Sequence, residues 1–433
     1  MKISWRILRG LGKTFGPSFY LFDAAVFDRN FTEFLAAFRG HYPRTALAYS
    51  YKTNYLPRLC RRVNALGGYA EVVSGMEYEL ARRVGVPPGR IIFNGPYKTA
   101  GDIERALADG ALVNLDSPAE VELVRGIARK RPRSVMRIAL RCNFDLGAIG
   151  VSRFGIDAAG HDLADAIARL GRIRNCRIDG LHCHWLPPSR SAAAYAAVAW
   201  RMLELARQCF GARPPGLLDL GGGFCSRMPP GLAAQFDFPI PTFQEYARAI
   251  AAPFAAAFPG DGPELILEPG LALAADTLSF AAKVVALKTI RSKTYALLSA
   301  SVYDVQPTKN QKTLPLRHFP QPGGARARRR SGPVDLVGYT CMEDDCLCRN
   351  YPGALAAGDY VVFQNVGAYT IVLKPPFIAP APAILGWDAA RRKFEVLRRG
   401  EKFDDVFATY VFDPPGIRLG RGAKGQRGTN TER

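Results

Sequence analysis

The stretch ALAYSYKTN, residues 46–54, decides how the rest of the chain is read. An apolar run delivers one lysine, Lys52, to its end, and Asn54 then turns the chain into a helical pattern. A buried strand that finishes in an isolated amine is a way of holding a nucleophile on a rigid support. Lysines at strand ends also simply point into water, so the surrounding sequence has to separate the two readings.

Outward from this stretch the periodicity alternates. Short apolar runs recur at 46–51, 69–73, 90–93, 111–115, 135–141, 177–184, 216–220 and 264–268. Helical spacing fills the intervals at 57–66, 75–84, 100–109, 118–129, 163–170, 192–209 and 243–256,. Eight strands alternating with helices over about 225 residues predict a (β/α)8 TIM-like barrel, with a doubly wound open sheet as its rival. Beyond Asp276 strands are expected at 284–287, 295–301, 334–337, 360–363, 369–372, 383–386 and 393–397, with little helix,. These predict a C-terminal β-sandwich or β-barrel domain. The expected division is 1–34 joining the β domain, 35–275 the barrel, 276–415 the β domain and 416–433 a basic, disordered tail.

Composition bounds function. With 433 residues, 48% hydrophobic and 22% charged, the chain can bury a large core,. Its nine cysteines are odd in number and scattered, and MKISWRILRG carries no long apolar stretch, so reduced thiols in a cytoplasm are expected,. No run approaches the roughly 18 apolar residues of a membrane span. Much of the net charge of +20 is concentrated in Arg326, Arg328, Arg329 and Arg330 and in a tail from Arg418 onward. Both read as exposed or disordered charge, and without interleaved aromatics or a helix-turn-helix, nucleic acid is not an expected partner.

Barrel enzymes carry their working groups at the C-terminal ends of the strands. Lys52, His184, Gly221 to Gly223 and Glu268 all fall there. LLDLGGGF places three glycines after an apolar strand, which suits either a phosphate nest or a tight turn. GLHCHW puts His182 and His184 on one strand face, but with five histidines in the chain and no adjoining ligand set, no metal is expected,. A buried Glu268 needs a cation, either a protonated pyridine nitrogen or an arginine such as Arg141. Cys341, Cys346 and Cys348 are poorly spaced for zinc and read as a packed loop or a proton donor.

Taken together, YKTN, AEVVSGMEYELA (70–81), SRFG (152–155), GLHCH, DLGGGF, EPG, Cys341 with Asp345, and GAY (367–369) resemble the fold-type III pyridoxal-phosphate decarboxylases. This is the diaminopimelate, ornithine and arginine decarboxylase group, with an alanine racemase-like barrel. The resemblance runs from about Gly16 to about Pro380 and implies that Lys52 carries pyridoxal 5'-phosphate, while His184 stacks on its ring. It further implies that Glu268 pairs with the ring nitrogen and that Gly221, Gly222 and Gly223 hold the phosphate with Tyr369. Cys341 would reach the site from the second subunit of a homodimer and return a proton. Glu343, Asp345 and Arg153 would contact an amino-acid substrate.

Three departures bear on that substrate. Leu271 follows EPG where the family commonly has arginine, WLPPSR follows His184, and Met342 stands where many relatives carry an acid. They point to decarboxylation of an amino acid or amino-acid conjugate in siderophore or other specialised biosynthesis. A racemase on the same scaffold, or a non-catalytic regulatory homologue, is the alternative.

Overall fold

A computed structural model describes residues 3–147, 152–308, 311–323 and 332–413, so the arginines at 326–330 and the tail from 418 lie outside the described residues. The chain opens with α1 (Trp5–Phe15), β1 (Ser18–Phe22) and α2 (Ala24–Arg39). Next come β2 (Thr45–Ser50), β3 (Tyr69–Val72), β4 (Ile91–Phe93), β5 (Leu112–Leu115) and β6 (Met136–Asn143), with a two-residue β7 (Ile156–Asp157) beside β6. β8 (Cys176–His182), β9 (Leu217–Gly222) and β10 (Glu264–Glu268) complete the set. The eight longer strands from β2 to β10 pair in parallel in the order 5-4-3-2-10-9-8-6, and β5 pairs again with β6. The sheet therefore closes into the expected barrel, with no edge left open.

Side chains alternate along a strand, and the alternation builds two levels inside the barrel. The lower level is apolar: Ala48, Ile92, Leu112, Ala139, Leu217 and Ile266 form one buried cluster, against which Tyr69 packs. On β8 the equivalent position is Gly180, where an added Cβ would lie 1.9 Å from the Leu217 carbonyl oxygen. Two residues further along each strand stand Ser50, Glu71, Asn94, Asn114, Arg141, His182, Asp219 and Glu268, all buried. A ring of eight polar side chains, one per strand, thus sits on an apolar plug at the C-terminal end.

α2 is an element the apolar runs did not predict. It is capped by Asp23, whose side chain accepts from the Ala25 amide,. Phe27, Phe31, Phe34 and Phe38 are buried along it at helical spacing, each worth about 1.5–3 kcal/mol of burial. Phe34 meets Phe243 of helix Phe243–Ala257 at 4.9 Å. The division placed at residue 34 therefore cuts through a helix that belongs to the barrel. What joins the β domain is α1 and β1: β1 lies antiparallel to β11 (Leu278–Ile290) and parallel to β17 (Ala383–Asp388).

The second domain is a nine-stranded mixed sheet. After β11 it contains β12 (Lys293–Leu298), β13 (Leu316–Phe319), β14 (Val334–Val337), β15 (Cys346–Tyr351), β16 (Tyr360–Phe363), β17 (Ala383–Asp388) and β18 (Lys393–Arg398). The strand expected at 369–372 is instead a turn, because Tyr369 takes a φ of +58°, outside the β region. Among the described residues no helix is long and apolar enough to cross a membrane.

Candidate active site

A cavity of about 870 Å3 opens over the polar ring, lined by Lys52, His184, Gly223, Glu268 and Tyr369 among others. Lys52 sits in the one-turn helix Tyr51–Thr53 directly after β2. Its Nζ donates to Glu71 Oε2 at 2.5 Å and to Ser50 Oγ at 2.7 Å. Burial would lower its pKa, but Glu71 and then Glu268 outweigh it, and the amine titrates above its usual range. Without a ligand Lys52 is thus a clamped ammonium.

Glu268 is buried at the end of β10. Its Oε1 accepts from Asn94 Nδ2 and lies 3.4 Å from His182 Nε2. Burial alone would raise its pKa, but His182 first and then the Lys52 ammonium hold it well below the carboxylate range. Beside it Asp219 moves the other way: burial first, then the Glu268 charge, pushes it well above that range. Burial also pushes His182 down, toward its neutral form. Arg141, the alternative partner for Glu268, is engaged elsewhere, donating to Asp116 Oδ1 at 2.9 Å.

His182, Asp219 and Glu268 do offer three ligand-type atoms within 4.8 Å of one another. Glu268 Oε1 already accepts from Asn94 Nδ2, and the Lys52 ammonium is close enough to feel the Glu268 charge, both of which disfavour a further cation there,. His184 stands outside this trio. Its Nδ1 accepts from the Gly222 amide at 3.1 Å, so its 3.5 Å approach to Glu268 Oε2 is a contact rather than a second hydrogen bond.

The glycine turn is more committed than a free nest. The Gly221 amide donates to Asp219 Oδ1 at 2.9 Å, and the Gly222 amide to His184. Gly223 lines the cavity. A Cβ on Gly221, at φ +66°, would stand 2.7 Å from His184 Nδ1, and one on Gly223, at φ +91°, 2.3 Å from Leu186 Cδ1. Across the cavity the Tyr369 amide donates to the Thr53 carbonyl at 2.8 Å and Asn54 Nδ2 donates to the Gly367 carbonyl at 2.9 Å. These bonds fasten the second domain onto the lysine-bearing turn.

The substrate-side residues fare differently. Cys341 and Glu343 are exposed and stand outside the cavity of their own chain. Asp345 is buried, and its carboxylate accepts from the Val302 amide at 2.7 Å and from the Thr340 amide and hydroxyl, bonds that tie the loop together. Arg153 is also exposed, lying 4.0 Å over the Phe154 ring and away from the cavity lining. Sequence reasoning missed Glu71, Asn94, Asn114 and Asp219, although each lies two residues beyond an inward apolar residue of its strand.

A lysine amine facing a cavity, a low-pKa carboxylate aimed into it and a turn where a Cβ would collide suit a flat, phosphate-bearing aldehyde cofactor. Comparison with known proteins agrees. The family described as pyridoxal-dependent decarboxylase, pyridoxal binding domain, matches residues 28–275. Diaminopimelate decarboxylase of Aquifex aeolicus is 26% identical, over 94% of this chain and 93% of that one. The enzyme of the same name from Actinosynnema pretiosum is 29% identical over 87% and 85%. A crystal structure of diaminopimelate decarboxylase from M. jannaschii superposes with a TM-score of 0.82 at 22% identity, covering 94% of each chain. An arginine decarboxylase from Paramecium bursaria Chlorella virus gives 0.68 at 21% over 86% and 97%, a likeness of fold. The chain belongs to the pyridoxal-dependent decarboxylases: its cofactor is pyridoxal 5'-phosphate and its reaction is amino-acid decarboxylation.

Proposed function

We propose that this enzyme acts on an amino acid or amino-acid conjugate of a specialised pathway, such as siderophore biosynthesis, and that it works as a cytoplasmic homodimer with shared sites. The observation carrying the site assignment is Lys52 Nζ, 2.5 Å from Glu71 Oε2 and facing the same cavity as Glu268. When bound, pyridoxal phosphate supplies an electron sink for the pair left as the α-carboxylate departs as carbon dioxide. Lys52 is the amine that carries it. Glu268, kept ionised, holds the proton at the ring nitrogen. His184 covers one ring face, Gly221 to Gly223 and Tyr369 border the phosphate, and Cys341 from the second subunit returns a proton to the α-carbon.

Apolar Leu271 lines the cavity where a cation would grip a standard substrate, and Met342 stands exposed beside Cys341. Both support a changed specificity. The diaminopimelate decarboxylase of M. jannaschii has been crystallised with L-lysine, and a cavity of about 870 Å3 leaves room for a substrate of that size or larger. None of the nine cysteines forms a disulfide, which supports a reducing compartment.

Carbon dioxide release across a panel of amino acids and their conjugates, for wild type and Lys52→Ala, tests this. The expected result is release from a non-standard substrate that depends on Lys52. Racemisation with the carboxylate retained, or preference for free diaminopimelate, would contradict it.

A further inference from the structure

We propose that Arg190 is the cation that grips the cofactor phosphate in this chain, a role no motif assigns to it. Two of the three glycine amides are already spent on Asp219 and His184, so the turn by itself offers a dianion little. Leu271, just after the neighbouring strand β10, offers none. Among the described residues the cavity is lined by three cations, Lys52, Arg190 and Lys312. Lys52 is clamped by Glu71. Lys312 donates to the Gln235 carbonyl at 2.8 Å and lies over the Phe236 ring, on the outer wall.

The Arg190 backbone is tied beside the glycine turn by Tyr246. Its carbonyl accepts from the Tyr246 hydroxyl at 2.8 Å, and that same hydroxyl accepts from the Cys225 amide at 3.4 Å, two residues beyond Gly223. Tyr195, whose hydroxyl donates to the Gly222 carbonyl at 3.0 Å, feels the Arg190 charge. The Arg190 backbone adopts a φ of +45° and its amide donates to the Pro187 carbonyl at 3.0 Å. A left-handed conformation at a non-glycine residue persists only where the surroundings hold it. The guanidinium makes no ion pair or side-chain hydrogen bond among the described residues. A partly buried, unpaired guanidinium facing a cavity beside a glycine turn matches the fork geometry that phosphate prefers.

This inference rests on the cofactor assignment, and the test separates the two. Full-length protein stripped of cofactor is titrated with pyridoxal phosphate and with pyridoxal, which lacks the phosphate, following the absorbance of the bound aldehyde. Arg190→Ala is expected to weaken pyridoxal phosphate by roughly ten- to a hundred-fold, the range for a lost charge-assisted bond, and to leave pyridoxal affinity unchanged. Arg190→Lys should recover part of the preference. Equal weakening of both probes, an unchanged preference, or a preference lost in Lys312→Ala instead would overturn the proposal. A wild-type protein that binds neither probe would overturn the cofactor assignment itself.

Discussion

Glu71 and Glu268, from β3 and β10, are bridged by one side chain: Asn94 Nδ2 donates to Oε1 of both, at 3.0 Å to Glu71. Asn94 is in turn held by Asn114, whose Nδ2 donates to Asn94 Oδ1 at 2.5 Å. The acid that clamps Lys52 and the buried acid at the end of β10 are thus set by one neutral amide.

Removing that amide leaves two buried carboxylates short of a donor. Asn94→Ala should cost about 1.5–3 kcal/mol in stability, the range for hydrogen bonds to charged groups. Losing a donor to the ionised form raises a carboxylate pKa, so the acid limb of the pH–rate profile should move to higher pH. Denaturant melts and a pH profile measure both effects; an unmoved acid limb would show that Asn94 does not tune Glu268.

Asp219 carries the opposite expectation. Its folded pKa lies above its unfolded value, so the native state retains a proton that the unfolded chain gives up above about pH 4. Stability due to this group therefore falls as pH rises from the ordinary carboxylate range toward the folded pKa. Asp219→Asn keeps an acceptor for the Gly221 amide and removes that loss. The variant should melt higher than wild type at pH 8, with the difference shrinking toward pH 4. A lower melting temperature at pH 8 would mean that Asp219 is ionised in the folded protein.

A shared site makes a distinct prediction about Cys341. Cys341→Ala and Lys52→Ala should each abolish most activity. If the thiol serves the neighbouring subunit, mixing and reannealing the two variants regenerates sites with both groups intact, and activity returns. No recovery on mixing, with heterodimers shown to form, would place Cys341 outside the proton path.

The barrel was legible because period-2 apolar runs and helical spacing leave little freedom once eight strands are counted. α2 escaped because its phenylalanines precede the first strand of that count, although their spacing is helical. β13 and β15, LRHF and CLCRNY, carry polar and cysteine residues that no alternation rule selects. Lys52, His184 and Glu268 could be found as groups at strand ends. The remaining polar ring required knowing which face of each strand points inward, after which Glu71, Asn94, Asn114 and Asp219 follow by a two-residue step. Asp345 shows the opposite limit, since a loop carboxylate that caps its own turn reads in sequence like one awaiting a ligand.

Lys52 as the amine that carries pyridoxal phosphate can be tested chemically. The most direct measurement is the visible absorbance of purified enzyme, followed by borohydride reduction and peptide mass analysis, for wild type and Lys52→Ala. A cofactor chromophore is expected in wild type, with a reduced pyridoxyl adduct on the peptide containing Lys52, and both absent from the variant. An adduct on another lysine, or a covalent chromophore that survives Lys52→Ala, would contradict it.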